Sequence, residues 1–143
     1  MHASIDDIVV HLAALPVAQA SLHHARAIVA SLGGHQQQLA ESKWSVTFDD
    51  GPFGGILVEI ETYAGERTMR LTLTPRTPDA PLTTITADAT AWSPSVAQPD
   101  SGTVKLLRRW RDLPSQLVIG CSIERGPGEG RTTGDLVCFV DEP

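Results

Sequence analysis

Several residue types are scarce in this chain, and each scarcity excludes a class of protein. Only two cysteines are present, Cys121 and Cys138, which by themselves form neither a disulfide framework nor a metal site. No stretch approaches the roughly 18 consecutive apolar residues that span a bilayer. Asparagine is absent and lysine occurs at only two positions, which is typical of a GC-rich, bacterial gene. We therefore expect a bacterial, cytoplasmic protein that does not enter a membrane and needs no cofactor.

Positive charge is scarce as well. Eleven lysines and arginines stand against 17 acidic residues, which gives a formal net charge of -6. A general nucleic-acid-binding protein needs a basic face against the phosphate backbone, so nucleic acid is not the expected partner. The 143 residues are 41% hydrophobic and 20% charged, which is enough for one ordinary globular core. We therefore predict a single domain over residues 1–143.

The first twenty residues match a secretion signal only in part. Residues 8–17 are mostly apolar, and residues 18–20 read Ala-Gln-Ala, as at a cleavage site. However, Asp6 and Asp7 precede the apolar run where a basic residue is required, and His11 interrupts it. We therefore interpret this segment as the beginning of the fold.

The N-terminal region predicts helix. Ser4 with an acidic residue three positions later is an N-cap pattern, and the apolar spacing that follows predicts a helix over residues 4–14. A second apolar repeat at helical spacing ends at Gly33 and Gly34, which favour a helix stop. Pro16 either separates two helices or kinks one, and both alternatives stay open.

Alternating apolar residues then predict an antiparallel sheet. After a polar connector rich in glutamine, strands are expected at residues 44–48, 56–62 and 68–74. A two-residue hairpin loop at Ala64-Gly65 favours one register, because a slip of one residue would expose the apolar side of the strand. In that register the opposed pairs are Ile60 with Met69, Val58 with Leu71, Ile56 with Leu73 and Glu59 with Arg70.

The second half of the chain continues the sheet and adds one predicted helix. A threonine-rich edge strand is expected over residues 82–89, followed by a loop over residues 90–102. Leu106, Trp110 and Leu113 fall at helical spacing, which predicts a helix over residues 103–113 that Pro114 ends. Two last strands, with apolar residues alternating over 117–123 and 136–140, should pair with each other.

These elements together predict an α+β fold in the order α-α-β-β-β-(β)-α-β-β. Consecutive strands with short connections form an antiparallel sheet, and its apolar face needs helices as cover. We therefore expect a two-layer sandwich. One layer is an antiparallel sheet of five to six strands, and the other is the N-terminal helix or helices with one later helix.

A basic cluster on the predicted later helix is the first candidate site. Lys105, Arg108, Arg109 and Arg111 place four positive charges within seven residues, next to Trp110. Arginine and tryptophan are enriched at binding hot spots, whereas the alternative interpretation is the solvated face of an amphipathic helix. We take these five residues as the candidate partner-binding surface for a protein with an acidic surface.

The glycine-rich loop at residues 124–134 is the second candidate contact surface. Arg125, Gly128 and Arg131 give it the composition of a phosphate-binding loop. The spacing does not match, because no Gly-Lys-Ser/Thr leads into a helix, and Glu129 would repel a phosphate. We therefore interpret the segment as a hairpin loop whose residues contact a partner.

The histidines and cysteines indicate a functional site less strongly than the basic cluster and the glycine-rich loop do. All five histidines lie in the first 35 residues, but no metal-ligand spacing is present, so exposed helix histidines are the favoured interpretation. Cys121 and Cys138 are expected to face each other on adjacent strands. We interpret them as buried thiols rather than as a disulfide or a nucleophile. No residue is assigned to catalysis or to metal binding.

Two classes of function fit these observations best, and a structural subunit or an appended domain of a larger system is a third alternative. The first is a non-catalytic protein-binding module, similar in size and charge to bacterial secretion chaperones and toxin-immunity proteins, with no shared motif to support the analogy. The second is a small enzyme or ligand-binding protein with a pocket between sheet and helices, using His24 or His11 with Asp7. A homodimer through an edge strand is left open.

Overall fold

The structure, a computed structural model, describes residues 5–16, 20–76, 92–98, 103–110, 113–125 and 136–142 of the 143-residue chain. Two α-helices, α1 (Ile5–Ala13) and α2 (Ala25–Ser31), come first, and a short 3-10 helix (Leu22–His24) leads into α2. Eight strands follow: β1 (His35–Ala40), β2 (Lys43–Thr47), β3 (Phe53–Tyr63), β4 (Glu66–Pro75), β5 (Ser93–Gln98), β6 (Thr103–Trp110), β7 (Val118–Arg125) and β8 (Leu136–Asp141). Within the described ranges, neither helix has the length and hydrophobicity that a bilayer crossing requires.

All eight strands belong to one antiparallel sheet in the order β1-β2-β3-β4-β8-β7-β6-β5. Two four-stranded meanders therefore meet where β4 pairs with β8, and β1 and β5 are the edges. The predicted α+β class and the antiparallel sheet are confirmed. The predicted size of the sheet is wrong, since eight strands replace the expected five to six.

The helix predicted over residues 103–113 is also wrong, because residues 103–110 form strand β6. The apolar spacing was ambiguous: Leu106 and Trp110 are four residues apart, which places them on one face of a helix and equally on one face of a strand. Hydrogen bonding to β5 on one side and to β7 on the other stabilises these residues as a strand instead of a helix. Tertiary context thus overrides the local pattern.

The glutamine-rich segment predicted as a connector forms the edge strand β1. Its inner side chains are polar and bind α2 instead of entering the apolar core. The Gln36 side-chain amide donates hydrogen bonds to the Val29 carbonyl (2.7 Å) and to the Gly33 carbonyl (2.8 Å). Arg26 donates to the side-chain oxygen of Gln38 at 3.2 Å. These bonds satisfy carbonyls at the end of α2 and hold a strand whose residues are all exposed.

The predicted register of the β3–β4 hairpin is confirmed in full. The four opposed pairs expected from the sequence all occur, and Ala64 and Gly65 form the connecting loop. Both loop residues have positive φ angles, 52° and 81°, as a type I′ turn requires. The expected pairing of the last two strands is confirmed as well, with Cys121 opposite Cys138.

Separate N-terminal helices resolve the alternative that Pro16 left open. Helix α1 ends at Ala13 and α2 begins at Ala25, so the described segments are not one kinked helix. Helix α1 belongs to the core, because Ile5, Ile8 and Leu12 are each no more than 2% exposed. The strand predicted over residues 82–89 lies outside the described residues.

The core lies between the helices and one face of the sheet. Buried side chains from α1 and α2 meet the inward-facing residues of the strands in one continuous cluster. At its centre Val58, Leu71 and Cys138 lie side by side on β3, β4 and β8 and are buried. Fully burying one such Val or Leu side chain contributes about 1.5–3 kcal/mol to the stability of the fold.

The interpretation of the two cysteines as free thiols is wrong. Cys121 and Cys138 form a disulfide that joins β7 to β8, and both are buried. Burial raises the free energy of a thiolate, which is why a reactive cysteine was not expected, but the two residues stand directly opposite each other on adjacent strands, which brings their sulfurs together. The bond closes a loop with a sequence separation of 17 residues.

We expect the double variant Cys121→Ala/Cys138→Ala to lose about 3 kcal/mol of unfolding free energy, because the cross-link no longer restricts the unfolded chain. Equilibrium urea unfolding measures this loss. Wild-type protein unfolded and refolded in excess reductant should lose a similar amount. A wild-type transition midpoint that does not move in reductant would show that the disulfide contributes nothing.

Candidate functional site

Two arginines of the predicted basic cluster lie on different faces of the sheet. On strand β6, Leu106 is buried on the side facing the helices, and Arg108 and Trp110 follow it at two-residue spacing. Leu107 and Arg109 therefore lie on the opposite face, and Arg109 is exposed. Lys105 is paired with Glu124 of β7 in the backbone register, and Arg111 lies outside the described residues.

An apolar groove, here called the α1–β6 groove, is the most distinctive concave site on the helix side. It has a volume of about 410 Å³. Its walls are hydrocarbon apart from one acidic residue at its edge. The lining residues are Asp6, Val9, Val10, Ala13 and Ala14 of the α1 region and Trp110, Leu113 and Pro114 at the end of β6.

Helix α1 forms one wall because it is apolar on two faces. Val9 points into the core and is 4% exposed, whereas Val10, the next residue, is 68% exposed. At 3.6 residues per turn, Ala14 lies one turn beyond Val10, is exposed and continues the same outward stripe, whereas Ala13 is buried beside it. Both alanines are small and leave room there, so the stripe becomes a groove against Trp110.

Arg108 and Trp110 form a preorganised platform at the edge of the groove. The Arg108 guanidinium carbon lies 4.5 Å from the centroid of the Trp110 ring, in a cation–π geometry. Its Nη1 donates to the Asp6 carboxylate at 3.2 Å, and the two side chains are 22% and 31% exposed. This ion pair fixes α1 against β6, although partial exposure to solvent screens its energy.

Trp92 supports the platform from beneath. Its ring meets the Trp110 ring nearly at right angles, with centroids 6.5 Å apart. Such edge-to-face pairs contribute about 0.5–1.5 kcal/mol beyond their buried area. Trp92 is 6% exposed, and its indole N–H has no hydrogen-bond partner among the described residues. The contact with the Trp110 ring therefore contributes to holding Trp92 in place.

A polar cleft beside the β3–β4 hairpin and the end of β8 is the second concave region. It has a volume of about 710 Å³ and includes His23, Arg67 and Glu142. Arg67 Nη1 contacts His23 Nδ1 and lies 3.1 Å from His23 Nε2. Three acidic residues, Glu66, Asp141 and Glu142, line the same cleft, so an anionic ligand would be repelled.

Glu142 gives this cleft a structural role. Its carboxylate accepts hydrogen bonds from the Ser21 hydroxyl at 2.8 Å and from the Leu22 backbone N–H at 2.6 Å. These bonds tie the end of β8 to the start of the 3-10 helix and satisfy a free helix-terminal N–H. The Ser21 hydroxyl, followed by the Leu22 N–H, lowers the pKa of Glu142 below its ordinary value.

The histidines named for an enzyme are not brought into a site. His11 and His24 are exposed, and neither lines the groove or the polar cleft. Within the described ranges, no three His, Cys, Asp or Glu residues lie close enough together to hold a metal ion. Of the loop candidates, Arg125 ends strand β7, whereas Gly128, Glu129 and Arg131 lie outside the described residues.

Sequence reasoning found Trp110 and Arg108 but missed the opposite wall of the groove. Val10 was the available signal, because it is apolar at a position outside the core-facing stripe of α1. Comparison with known proteins adds no relative: no family model, curated protein or solved structure matches the chain. The site is therefore interpreted from its geometry.

Glu142→Gln tests the structural role of the polar cleft. Because the pKa of Glu142 is lowered in the folded state, its stabilisation is complete above the ordinary value of 4.5 and is lost as the pH falls through the folded value. We expect the variant to be about 0.5 kcal/mol less stable at pH 7 in urea unfolding, because solvent screens the interactions of this exposed carboxylate. The difference from wild type should shrink below pH 4.5.

Glu66→Gln is the matched control, since Glu66 lines the same cleft and makes neither of these bonds. Its unfolding free energy should stay close to that of wild type across the same pH range. A Glu142→Gln penalty that persists unchanged in acid would contradict the assigned cause.

Proposed function

We propose that this chain is a non-catalytic protein-binding module and that the α1–β6 groove is its binding site. The observation that carries the proposal is an exposed apolar groove built around Val10 and Trp110 on the surface of an acidic protein. Apolar surface that stays in water costs about 25 cal/mol per Å², and contiguous exposed patches commonly mark interaction sites.

The shape of the groove favours an apolar anchor residue from the partner. Trp110 offers a broad ring surface, and tryptophan is the residue type most often found at binding hot spots. The cation–π contact with Arg108 and the edge-to-face contact with Trp92 hold this ring in place before binding. A partner therefore gains apolar contact without a large cost for ordering the side chain.

Charge at the edge of the groove restricts the partner further. Arg108 has five N–H donors, and its one ion pair to Asp6 leaves further donors available at the edge of the groove. The net charge of -6 repels a uniformly acidic protein at long range. We therefore propose a partner segment in which an acidic residue stands close to an apolar anchor. This refines the acidic partner expected from the sequence.

An apolar small molecule is the second candidate ligand. A groove of about 410 Å³ lies within the range of small-ligand pockets, and its hydrocarbon lining suits such a ligand. Native mass spectrometry of protein purified from its host would detect a bound molecule of defined mass. The analogy with secretion chaperones and toxin-immunity proteins stays a prediction.

The cytoplasmic location also stays a prediction, and the disulfide argues against it. Buried disulfides persist mainly in oxidising compartments, whereas reducing systems keep cytoplasmic thiols free. A partner for the groove should therefore be sought in the cell envelope and the medium as well as in the cytoplasm.

Val10→Glu is the sharpest test of the binding site. The residue is 68% exposed, so the substitution places a charge in the groove without disturbing the core. We expect recovery of a stoichiometric partner from host extract by tagged wild-type protein. We further expect at least tenfold weaker binding of the purified partner to Val10→Glu, measured by titration calorimetry.

Tyr63→Glu is the matched control, because Tyr63 is 86% exposed next to the β3–β4 loop and does not line the groove. Its affinity should equal that of wild type. A partner that binds Val10→Glu and wild type equally would move the binding site elsewhere, and the absence of any partner or ligand would reject the proposed function.

A further inference from the structure

The face of the sheet opposite the helices carries apolar side chains that neither described helix covers. The residues on this outer face alternate with the core residues along each strand, so their direction follows from the burial of their neighbours. Half-buried apolar residues on this face are Leu57, Leu107, Val118, Val137 and Phe139. Charged residues of both signs surround them.

Backbone register arranges these side chains in two rows that cross five strands. The first row runs over β3, β4, β8, β7 and β6 as Leu57, Thr72, Val137, Ser122 and Leu107. The second row crosses the same strands as Glu59, Arg70, Phe139, Gly120 and Arg109. Strand β8 is the centre of both rows.

Each row is self-complementary about β8. In the first row, leucines stand at both ends and hydroxyl residues stand next to them. In the second row, Glu59 at one end and Arg109 at the other carry opposite charges. Next to them stand Arg70, which has a long side chain, and Gly120, which has none. Val137 and Phe139 lie on the central strand itself. A surface of this kind matches a copy of itself after a half turn about β8.

We propose that a second copy of the chain packs on this outer face, with the two-fold axis along β8. Phe139 and Val137 then meet their own counterparts at the axis, and Leu57 meets Leu107 of the second copy. Glu59 lies against Arg109 of the second copy, and the symmetry repeats this ion pair on the other side.

The packing geometry and the free charges support this arrangement. Two face-to-face sheets pack about 10 Å apart with strands within about 30° of each other, as an axis along a strand allows. Neither Glu59 nor Arg109 takes part in an ion pair within the described part of the chain. The Arg109 side chain already extends beside Gly120, where its Cγ lies 3.7 Å from the position that a Cβ would occupy.

This association is independent of the proposed function. The outer face and the α1–β6 groove lie on opposite sides of the sheet, so a dimer leaves both grooves open. It also differs from the homodimer through an edge strand that the sequence left open, because β1 and β5 take no part in it.

Charge reversal tests the proposal with two single variants, Glu59→Arg and Arg109→Glu, and their mixture. Sedimentation velocity should show a wild-type dimer at tens to hundreds of micromolar, and each variant alone should dimerise at least tenfold more weakly because both ion pairs become repulsive. In an equimolar mixture, each of the two contacts joins one Glu to one Arg. The mixture should therefore form a one-to-one heterodimer, which native mass spectrometry identifies when one variant is isotopically labelled.

Asp50→Arg is the control for charge, since Asp50 is exposed in the turn between β2 and β3 and lies in neither row. Circular dichroism should show that all variants are folded, and the control should dimerise like wild type. A monomeric wild-type protein over this concentration range would overturn the proposal. So would a dimer that both reversals leave intact, or a mixture that stays monomeric.

Discussion

The pairing of β4 with β8 is the contact on which the rest of the structure depends. It joins residues 68–73 to residues 136–141, whereas the other strand pairs connect neighbours in the chain. Bringing together segments so far apart in the chain costs more conformational entropy than forming a local hairpin, so the β4–β8 pairing requires strong stabilising contacts. Buried side chains provide these contacts across the two strands, where Leu71 lies beside Cys138. The disulfide then links Cys138 to Cys121 on β7.

The β4–β8 pairing also determines where the candidate binding groove lies. Cys121 is opposite Arg108 in the register of β6 and β7, so the cross-linked centre of the sheet continues directly into the strand that carries Arg108 and Trp110. Asp6 of α1 lies 102 residues away from Arg108 in sequence and meets it only because this half of the sheet is in place. The groove is therefore a consequence of long-range assembly. A rigid backbone at this position favours a binding surface that is formed before a partner arrives.

Local features of the fold could be predicted from the sequence, and long-range features could not. The β3–β4 register was predictable because a two-residue loop and the alternation of Ile56, Val58 and Ile60 admit only one burial pattern. Strand β6 was not, because Leu106 and Trp110 fit a helix as well as a strand until their neighbours are known. Strand β1 was missed since its inner side chains, Gln36 and Gln38, bind a helix end instead of entering the core. The groove was half predicted: Trp110 is recognisable by residue type, but its opposite wall depends on α1.

Two adjacent arginines show how a strand distributes charge differently from a helix. On a helix, Arg108 and Arg109 would be about 100° apart and would strengthen the field of one surface. On β6 they point to opposite faces, so each acts on a different neighbour: Arg108 on Asp6 and Trp110, and Arg109 on the outer face beside Gly120. An acidic protein with few positive charges can in this way place one cation on each side of its sheet.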